Sequence, residues 1–263
     1  MPIAFDLISD LHVETWDQPF DWEGQATATL CVVAGDVSRD RALVKDALEK
    51  LSQRYRAVMF IDGNDEHRWT LNDLGDSYRS LVEEISDIPN VTYLQDNVVI
   101  VDGVAFLGTN GWWSFDFEPG VDYDQTRLWF QDRYQVDRTV SDAIESMSMQ
   151  DFAYLARSVR RLQTHQDVKK IVVITHTPPR LDLIHHDIDI ADSYRINCSG
   201  NSYMTQVLGE DTESKISTWC FGHYHGDVDT TIQGIRYVNN CRGRGDTPWC
   251  KPVYYPRRIE ISL

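Results

Sequence analysis

The strongest constraint on the fold is a pattern that occurs five times: a short apolar run that ends in a side chain able to bind a metal or carry a proton. The five stretches are Ile8 to His12, Val32 to Asp36, Val58 to His67, Ile171 to His176, and the run that ends at Gly222 to His225. Short apolar runs bounded by glycine and polar residues are typical of buried strands. Open α/β sheets place their ligands at the carboxyl ends of strands. The pattern therefore predicts that polar side chains far apart in the sequence meet at one edge of the sheets.

The first part of the chain alternates between strand and helix patterns, which predicts parallel strands. The predicted elements are strands at residues 2–9, 29–34 and 57–61 and helices at residues 40–55 and 71–86. Beyond residue 90 the apolar runs are short, and Asp102-Gly103 predicts a two-residue hairpin. We expect a long helix from Ser141 to about Gln166, and a mostly antiparallel second half. Since no repeat or linker interrupts the chain, residues 1–263 are predicted to form one domain.

Residues 109–138 are an aromatic-rich insertion whose sequence fits neither the helix pattern nor the strand pattern. One interpretation is a packed aromatic segment that covers the core, because aromatic side chains bury large areas. The other is a wall over the site that stacks on a substrate ring, with Trp112 and Trp113 as substrate contacts. The sequence leaves both open.

Charge and composition exclude several classes of protein. With 41 acidic against 25 basic residues, the net charge of −16 argues against a partner such as extended nucleic acid, which needs clusters of Lys and Arg. No apolar run is long enough for a membrane span, and the first residues lack the basic start of a secretory signal. Five cysteines without a CxxC motif favour reduced thiols. We therefore expect a cytoplasmic protein.

Seven side chains at the predicted strand ends could together hold two metal ions. They are Asp10, His12, Asp36, Asn64, His176, His223 and His225. Mixed carboxylate, imidazole and amide ligands suit divalent or trivalent transition metals (Mn, Fe, Zn, Ni or Co, with Mn favoured), whereas Ca and Mg prefer all-oxygen shells. Two ions about 3.5–4 Å apart are the arrangement that activates water and clamps both ends of an in-line phosphoryl displacement.

Five ordered motifs resemble those of the calcineurin-like metallophosphoesterase superfamily. They are Asp10-Leu11-His12, Gly35-Asp36, Gly63-Asn64-Asp65-Glu66, His176 and Gly222-His223-Tyr224-His225. The resemblance implies a mixed α/β fold, a four-layer αββα sandwich with two mixed β-sheets. It also implies hydrolysis of phosphoric esters by attack of a metal-bound hydroxide.

The same resemblance assigns the ligands to two metals. The first metal would be bound by Asp10, His12, Asp36 and His225. The second would be bound by Asn64, His176 and His223, with Asp36 shared between the two ions. Glu66 would be a hydrogen-bond acceptor that orients a metal-bound histidine.

The third motif departs from the superfamily pattern at Asp65. The usual residue there is a histidine that contacts the scissile phosphate and protonates the leaving oxygen. An aspartate of ordinary pKa, about 3.9, is ionised at neutral pH and repels phosphate. Low or altered activity, a pKa raised by the surroundings, His67 acting as the acid, or a substrate with a good leaving group would each account for it. An engineered substitution that silences catalysis would give the same sequence. The candidate catalytic residues are Asp65, His67 and Asp36.

The function predicted is a dinuclear metal-dependent phosphoesterase acting on phosphodiesters or small phosphomonoesters, with a small phosphorylated or nucleotide-like substrate. Arg39 and Arg68 are candidate contacts for the substrate phosphate, although surface pairing would explain each. Arg242 and Arg244, in a basic segment near the C-terminus, are interpreted as a solvated face. The alternative function is a catalytically weak or inactive binding module with the same fold.

Overall fold

Eleven strands form two sheets in the computed structural model, which describes residues 2–18, 20–22, 25–67, 73–184 and 193–263. The strands are β1 Ile3–Ile8, β2 Leu30–Ala34, β3 Ala57–Ile61, β4 Val91–Tyr93, β5 Asn97–Val101, β6 Val104–Thr109, β7 Lys170–Thr175, β8 Ile216–Phe221, β9 Asp229–Ile232, β10 Ile235–Asn239 and β11 Arg257–Ile261. The first sheet has the order β11-β1-β2-β3-β4, and the second has the order β5-β6-β7-β8-β10-β9. Both sheets are mixed, as predicted, because each has a parallel centre and at least one antiparallel edge strand.

Five α-helices accompany the sheets in the described part of the chain. They are α1 Arg41–Ser52, α2 Leu74–Ile85, α3 Tyr123–Tyr134, α4 Arg138–Gln163 and α5 Ser193–Asn197. An aspartate precedes each of the first four and accepts a backbone N–H of the first turn, which satisfies one of the donors left free at a helix start. Among the described residues, no helix combines the length and apolar character needed to cross a membrane.

The side chains of the strands alternate between two cores, which produces the layers. On β2, Leu30, Val32 and Ala34 face the second sheet, whereas Cys31 and Val33 pack with α1 and α2. A third core lies between the outer face of the second sheet and α4. The order of layers is therefore helices, sheet, sheet, helix, and the predicted αββα sandwich is confirmed.

Three details of the predicted elements were wrong. The second half is not mostly antiparallel, because β7, β8 and β10 continue the second sheet in parallel from β6. The long helix begins at Arg138 with Asp137 as its cap, about one turn before the predicted Ser141. The aromatic insertion contains a helix of its own, α3, with its N-cap at Asp122.

Candidate metal centre

The chain turns sharply where the strands end, and the predicted ligands stand in these turns. Asp10, His12, Asp36 and His223 all have a positive φ, between 43° and 61°. Asn, Asp and His are the non-glycine residues most often found in this left-handed region, and such strained positions concentrate at functional sites. The turns direct side chains from β1, β2 and β8 toward one point.

The first group of converging ligands comprises Asp10, His12 and His225, whose donor atoms all lie within 4.8 Å of one another. His225 Nε2 lies 3.2 Å from Asp10 Oδ1 and 3.2 Å from His12 Nε2. Two ring nitrogens and a buried carboxylate that converge in this way form a donor set suited to a transition-metal ion. The residues present therefore fit the first predicted metal.

The second group comprises Asp36, His176 and His223, with the same mutual spacing of donor atoms. His176 Nε2 lies 3.3 Å from Asp36 Oδ2 and 3.2 Å from Asn64 Oδ1. Asp36 Oδ2 also lies 3.8 Å from His12 Nε2 in the first group. Asp36 is thus placed between the two groups, as a shared ligand must be. The structure brings all seven predicted ligands together.

The backbone around the second group fixes the orientation of its ligands. His176 Nδ1 lies 2.9 Å from the carbonyl oxygen of Ala34, so a proton on Nδ1 would leave Nε2 free to bind a metal. Glycine is required close by, because a Cβ on Gly35, whose φ is +82°, would lie 2.5 Å from His176 Nδ1. The backbone at these strand ends is therefore packed tightly against the candidate ligand His176.

The ligand cluster concentrates opposite charges in a buried place. Burial lowers the pKa of His176, but the charge of Asp36 and its hydrogen bond outweigh this effect and raise the pKa to about 10. Burial and the neighbouring charge of His176 lower the pKa of His223 to about 4. Burial raises the pKa of Asp10, but the hydrogen bond from His225 and the nearby histidine charges hold it well below its usual range. Buried carboxylates among imidazoles are what bound cations would neutralise.

Glu66 supports the loops of the site through the backbone. Its carboxyl group accepts the N–H groups of Gly63 (2.7 Å), Asp36 (3.1 Å) and Val37 (2.6 Å). Burial and the charge of Asp36 raise the pKa of Glu66 to about 8. In the described residues its hydrogen bonds reach the loop that carries Asp36, whereas the sequence predicted that it orients a histidine ring.

Asp65 is surrounded by donors. Its Oδ2 accepts a hydrogen bond from Arg39 Nε at 2.8 Å and lies 3.3 Å from His12 Nδ1 and 3.5 Å from Arg244 Nη1. Burial raises the pKa of Asp65, but the close contact with His12 and the charges of His12 and Arg39 outweigh it and hold the pKa well below its usual range. Of the explanations that the sequence left open, a raised pKa at Asp65 is the one that these contacts do not favour.

His67 lies in a different environment from the ligands. It is fully buried, Nε2 is 2.8 Å from Asp62 Oδ2, and Nδ1 is 2.7 Å from Ser77 Oγ. Asp62 also accepts hydrogen bonds from Tyr93 and Asn110. With both ring nitrogens engaged in this network, His67 is held beneath the site. These contacts favour a structural role over that of a proton donor to substrate.

The two tryptophans differ in their surroundings. Trp112 is fully buried and donates from Nε1 to the Tyr78 hydroxyl at 2.7 Å. Trp113 is 6% exposed and its ring stacks on His223, with the centroids 6.1 Å apart. The insertion therefore packs as its own core and contacts His223, a candidate metal ligand, which supports the covering interpretation for Trp112. Arg68, the other candidate contact for the substrate phosphate, lies outside the described residues.

Arg244 is the site residue that the sequence interpretation missed, since it was assigned to a solvated face. A partial signal was present: the strand-like run Ile235 to Val238, which contains Arg236, is followed by Asn239-Asn240 where the other runs carry their polar side chains. This strand, β10, runs parallel to β8, and Cys241 forms a bridge with Ser9 at the end of β1. The segment that follows β10 is thereby brought to the same edge as the metal ligands.

Comparison of this chain with known proteins establishes its fold. No family model and no curated protein matches the sequence. Among solved structures, phosphopantetheinyl hydrolase (PptH) from Mycobacterium tuberculosis superposes with a TM-score of 0.73 at 18% identity, over 98% of this chain and 96% of that one. GAP50, the anchor in the inner membrane complex of Plasmodium, superposes with a TM-score of 0.51 at 12% identity, over 99% of this chain and 78% of that one. The chain has the calcineurin-like metallophosphoesterase fold, and the predicted fold is confirmed.

Proposed function

We propose that the protein is a dinuclear metal-dependent hydrolase of phosphoric esters, acting on phosphodiesters or small phosphomonoesters. The observation that carries the proposal is the pair of ligand groups, each of three residues with donor atoms within 4.8 Å, joined through Asp36. A scaffold has no need of two such sets of buried histidines and carboxylates, which are unfavourable to bury without a partner. The fold shared with PptH supports the same function.

The metals, with Mn favoured, would supply a nucleophile from water and neutralise the charge of the phosphoryl group. Asp10, His12 and His225 would hold one ion, and Asn64, His176 and His223 the other, with Asp36 between them. Gly63 and the carboxyl group of Glu66 keep the turn that presents Asn64 in place. The stack of Trp113 on His223 fixes that ring and excludes water from one side of it.

Two further features agree with the proposal. All five cysteines are free, and four are buried, which supports the expectation of a reducing cytoplasmic environment. The ion pairs of Asp65 leave no carboxyl proton for the leaving group, so substrates with good leaving groups are favoured. Because PptH is by its name a phosphopantetheinyl hydrolase, a phosphopantetheine ester belongs in the substrate screen beside nucleotides.

The contacts of Asp65 also favour a second candidate, an inactive binding module with the same fold. Metal analysis and hydrolysis of bis(p-nitrophenyl) phosphate by the Mn-loaded protein separate the two. We expect bound metal and turnover, both lost in Asp36→Asn. If the metal-loaded protein and its Asp65→His variant both fail to hydrolyse any ester in the screen, the enzyme proposal is wrong.

A further inference from the structure

Two guanidinium groups converge on Asp65 beside the metal centre. Arg39 Nε donates to Asp65 Oδ2 at 2.8 Å, and Arg244 Nη1 lies 3.5 Å from the same oxygen. The two arginines come from different elements, one from the loop after β2 and the other from the segment after β10. Their meeting is a feature of the fold and cannot be a local pairing along one helix.

Both arginines keep donors that have no hydrogen-bond acceptor in the part of the chain that the structure describes. Among the described residues, the terminal amino groups of Arg39 have no hydrogen-bond partner, since only its Nε is engaged. Arg244 pairs with Asp246 through Nε and Nη2, whereas its Nη1 is buried without a hydrogen-bond partner in the described structure. A buried guanidinium N–H without an acceptor is unfavourable, so an acceptor from a ligand would be favoured there.

The two guanidinium groups are more exposed to solvent than the carboxylate that they contact. The side chain of Asp65 is 3% exposed, while those of Arg39 and Arg244 are 20% and 21% exposed. The carboxylate therefore lies beneath the two cations and holds them together. His12, Glu14 and Asp65 also have donor atoms close enough together to bind a metal ion. The two guanidinium groups near these carboxylates would repel such a cation.

The pair lies at a definite place relative to the metal ligands. His12 presents Nε2 to Asp36 and His225, and presents Nδ1 to Asp65. The arginines thus lie beyond Asp65 on the Nδ1 side of the ring, whereas the candidate metal ligands lie on its Nε2 side. A phosphate between the metals would lie on the Nε2 side, so a second phosphate joined to it could extend past the ring toward the arginines.

We propose that Arg39 and Arg244 form an anion-binding subsite for a second phosphate group of the substrate, next to the phosphate that is cleaved. The inference rests on the proposed function and adds a substrate class: molecules in which the scissile phosphorus carries a neighbouring phosphate, as in a diphosphate. Arginine suits the task because its planar fork binds phosphate oxygens bidentately. A leaving phosphate also needs no proton from residue 65.

The test is a calorimetric titration of the Mn-loaded protein with methylenediphosphonate and, separately, with methylphosphonate. We expect the wild type to bind the diphosphonate more tightly. In Arg39→Ala and in Arg244→Ala the ratio of the two affinities should fall about tenfold, which corresponds to about 1.4 kcal/mol. Arg39→Lys should give an intermediate ratio, because lysine keeps the charge but loses the fork. The matched control is Arg160→Ala, which removes an exposed arginine paired with Glu210 and should leave the ratio unchanged.

The outcomes separate the subsite from the phosphoesterase proposal. If the wild type hydrolyses model esters but the arginine variants keep the wild-type ratio, the subsite is overturned and the enzyme proposal stands. The subsite is also overturned if the variants only lower the melting temperature, since that result would show structural pairing alone. If the Mn-loaded wild type does not bind the diphosphonate more tightly than methylphosphonate, the subsite is overturned, and the enzyme proposal is judged by the hydrolysis screen.

Discussion

The tight approach of two strand ends at Gly35 gives the sharpest prediction for stability and metal binding. In Gly35→Ala, the new Cβ would lie 2.5 Å from His176 Nδ1, 2.7 Å from the backbone nitrogen of Gly63 and 2.9 Å from the carbonyl carbon of Asp62. Two of these neighbours are backbone atoms, and the third belongs to His176, a candidate metal ligand. Alanine at this position therefore forces the loops of the site apart.

The loss of folding stability expected for Gly35→Ala has two parts. Alanine at a φ of +82° costs roughly 1–2 kcal/mol, because its Cβ crowds the following carbonyl oxygen. Forcing atoms into a packed interior costs roughly 1–3 kcal/mol more. The sum, about 2–5 kcal/mol, is a large part of the roughly 5–15 kcal/mol that stabilises a typical protein. Displacement of His176 should weaken metal binding as well, by about tenfold or more.

The control is Gly120→Ala, at a φ of +89° with no atom within 4 Å of the new Cβ. It carries the backbone strain without the clash. Unfolding in urea gives the free energies, and equilibrium dialysis against Mn gives the metal affinity. We expect the Gly35 variant to lose more stability than the Gly120 variant, and only the Gly35 variant to lose metal. Equal destabilisation of both variants with unchanged metal affinity would refute the reasoning.

Three further predictions concern pH, metal removal and residue 65. Burial raises the pKa of Asp151 to about 7, so the folded state keeps a proton that the unfolded state releases near pH 4. Between pH 5 and 8 the free energy of unfolding of the wild type, measured by urea titration, should therefore fall by on the order of 3 kcal/mol more than that of Asp151→Asn. The same dependence of this free energy on pH in both proteins would contradict the prediction. Removing metal with EDTA should lower the melting temperature of the wild type, measured by calorimetry, by about 5–10 °C. The reason is that metal at a hundredfold excess over its Kd stabilises the folded protein by about 3 kcal/mol. The melting temperature of Asp36→Asn should not change with EDTA. An equal shift in both proteins would argue against a metal at Asp36. Asp65→His should not raise the rate of ester hydrolysis and should lower the melting temperature, because a histidine cannot serve as the carboxylate partner of Arg39 and Arg244; a faster variant in a p-nitrophenyl ester assay would show the opposite.

Most strands and turns could be predicted because their signals are local. Asp102-Gly103 forms the hairpin between β5 and β6, and both residues have a positive φ, the conformation for which this pair of residue types is suited. The start of α4 could not be fixed, since Asp137 and Ser141 are both good caps within about one turn. The parallel pairing of β8 with β10 was missed because strand partners are set by long-range packing, which no short window of sequence contains.

The candidate site shows the same division between local and long-range information. The convergence of the candidate metal ligands could be predicted because each of them follows the end of a strand, and the fold brings these strand ends together. The role of Asp65 could not, because it depends on which side chains face it. A carboxylate at this position looks like a lost proton donor when only its own motif is considered, but with Arg39 and Arg244 around it the same group is their counter-ion. Changing residue 65 alone to histidine would then remove the carboxylate that Arg39 and Arg244 share, and Arg244 would keep its pairing with Asp246. The departure from the motif at Asp65 therefore goes together with two arginines, distant in the sequence, that contact its carboxylate.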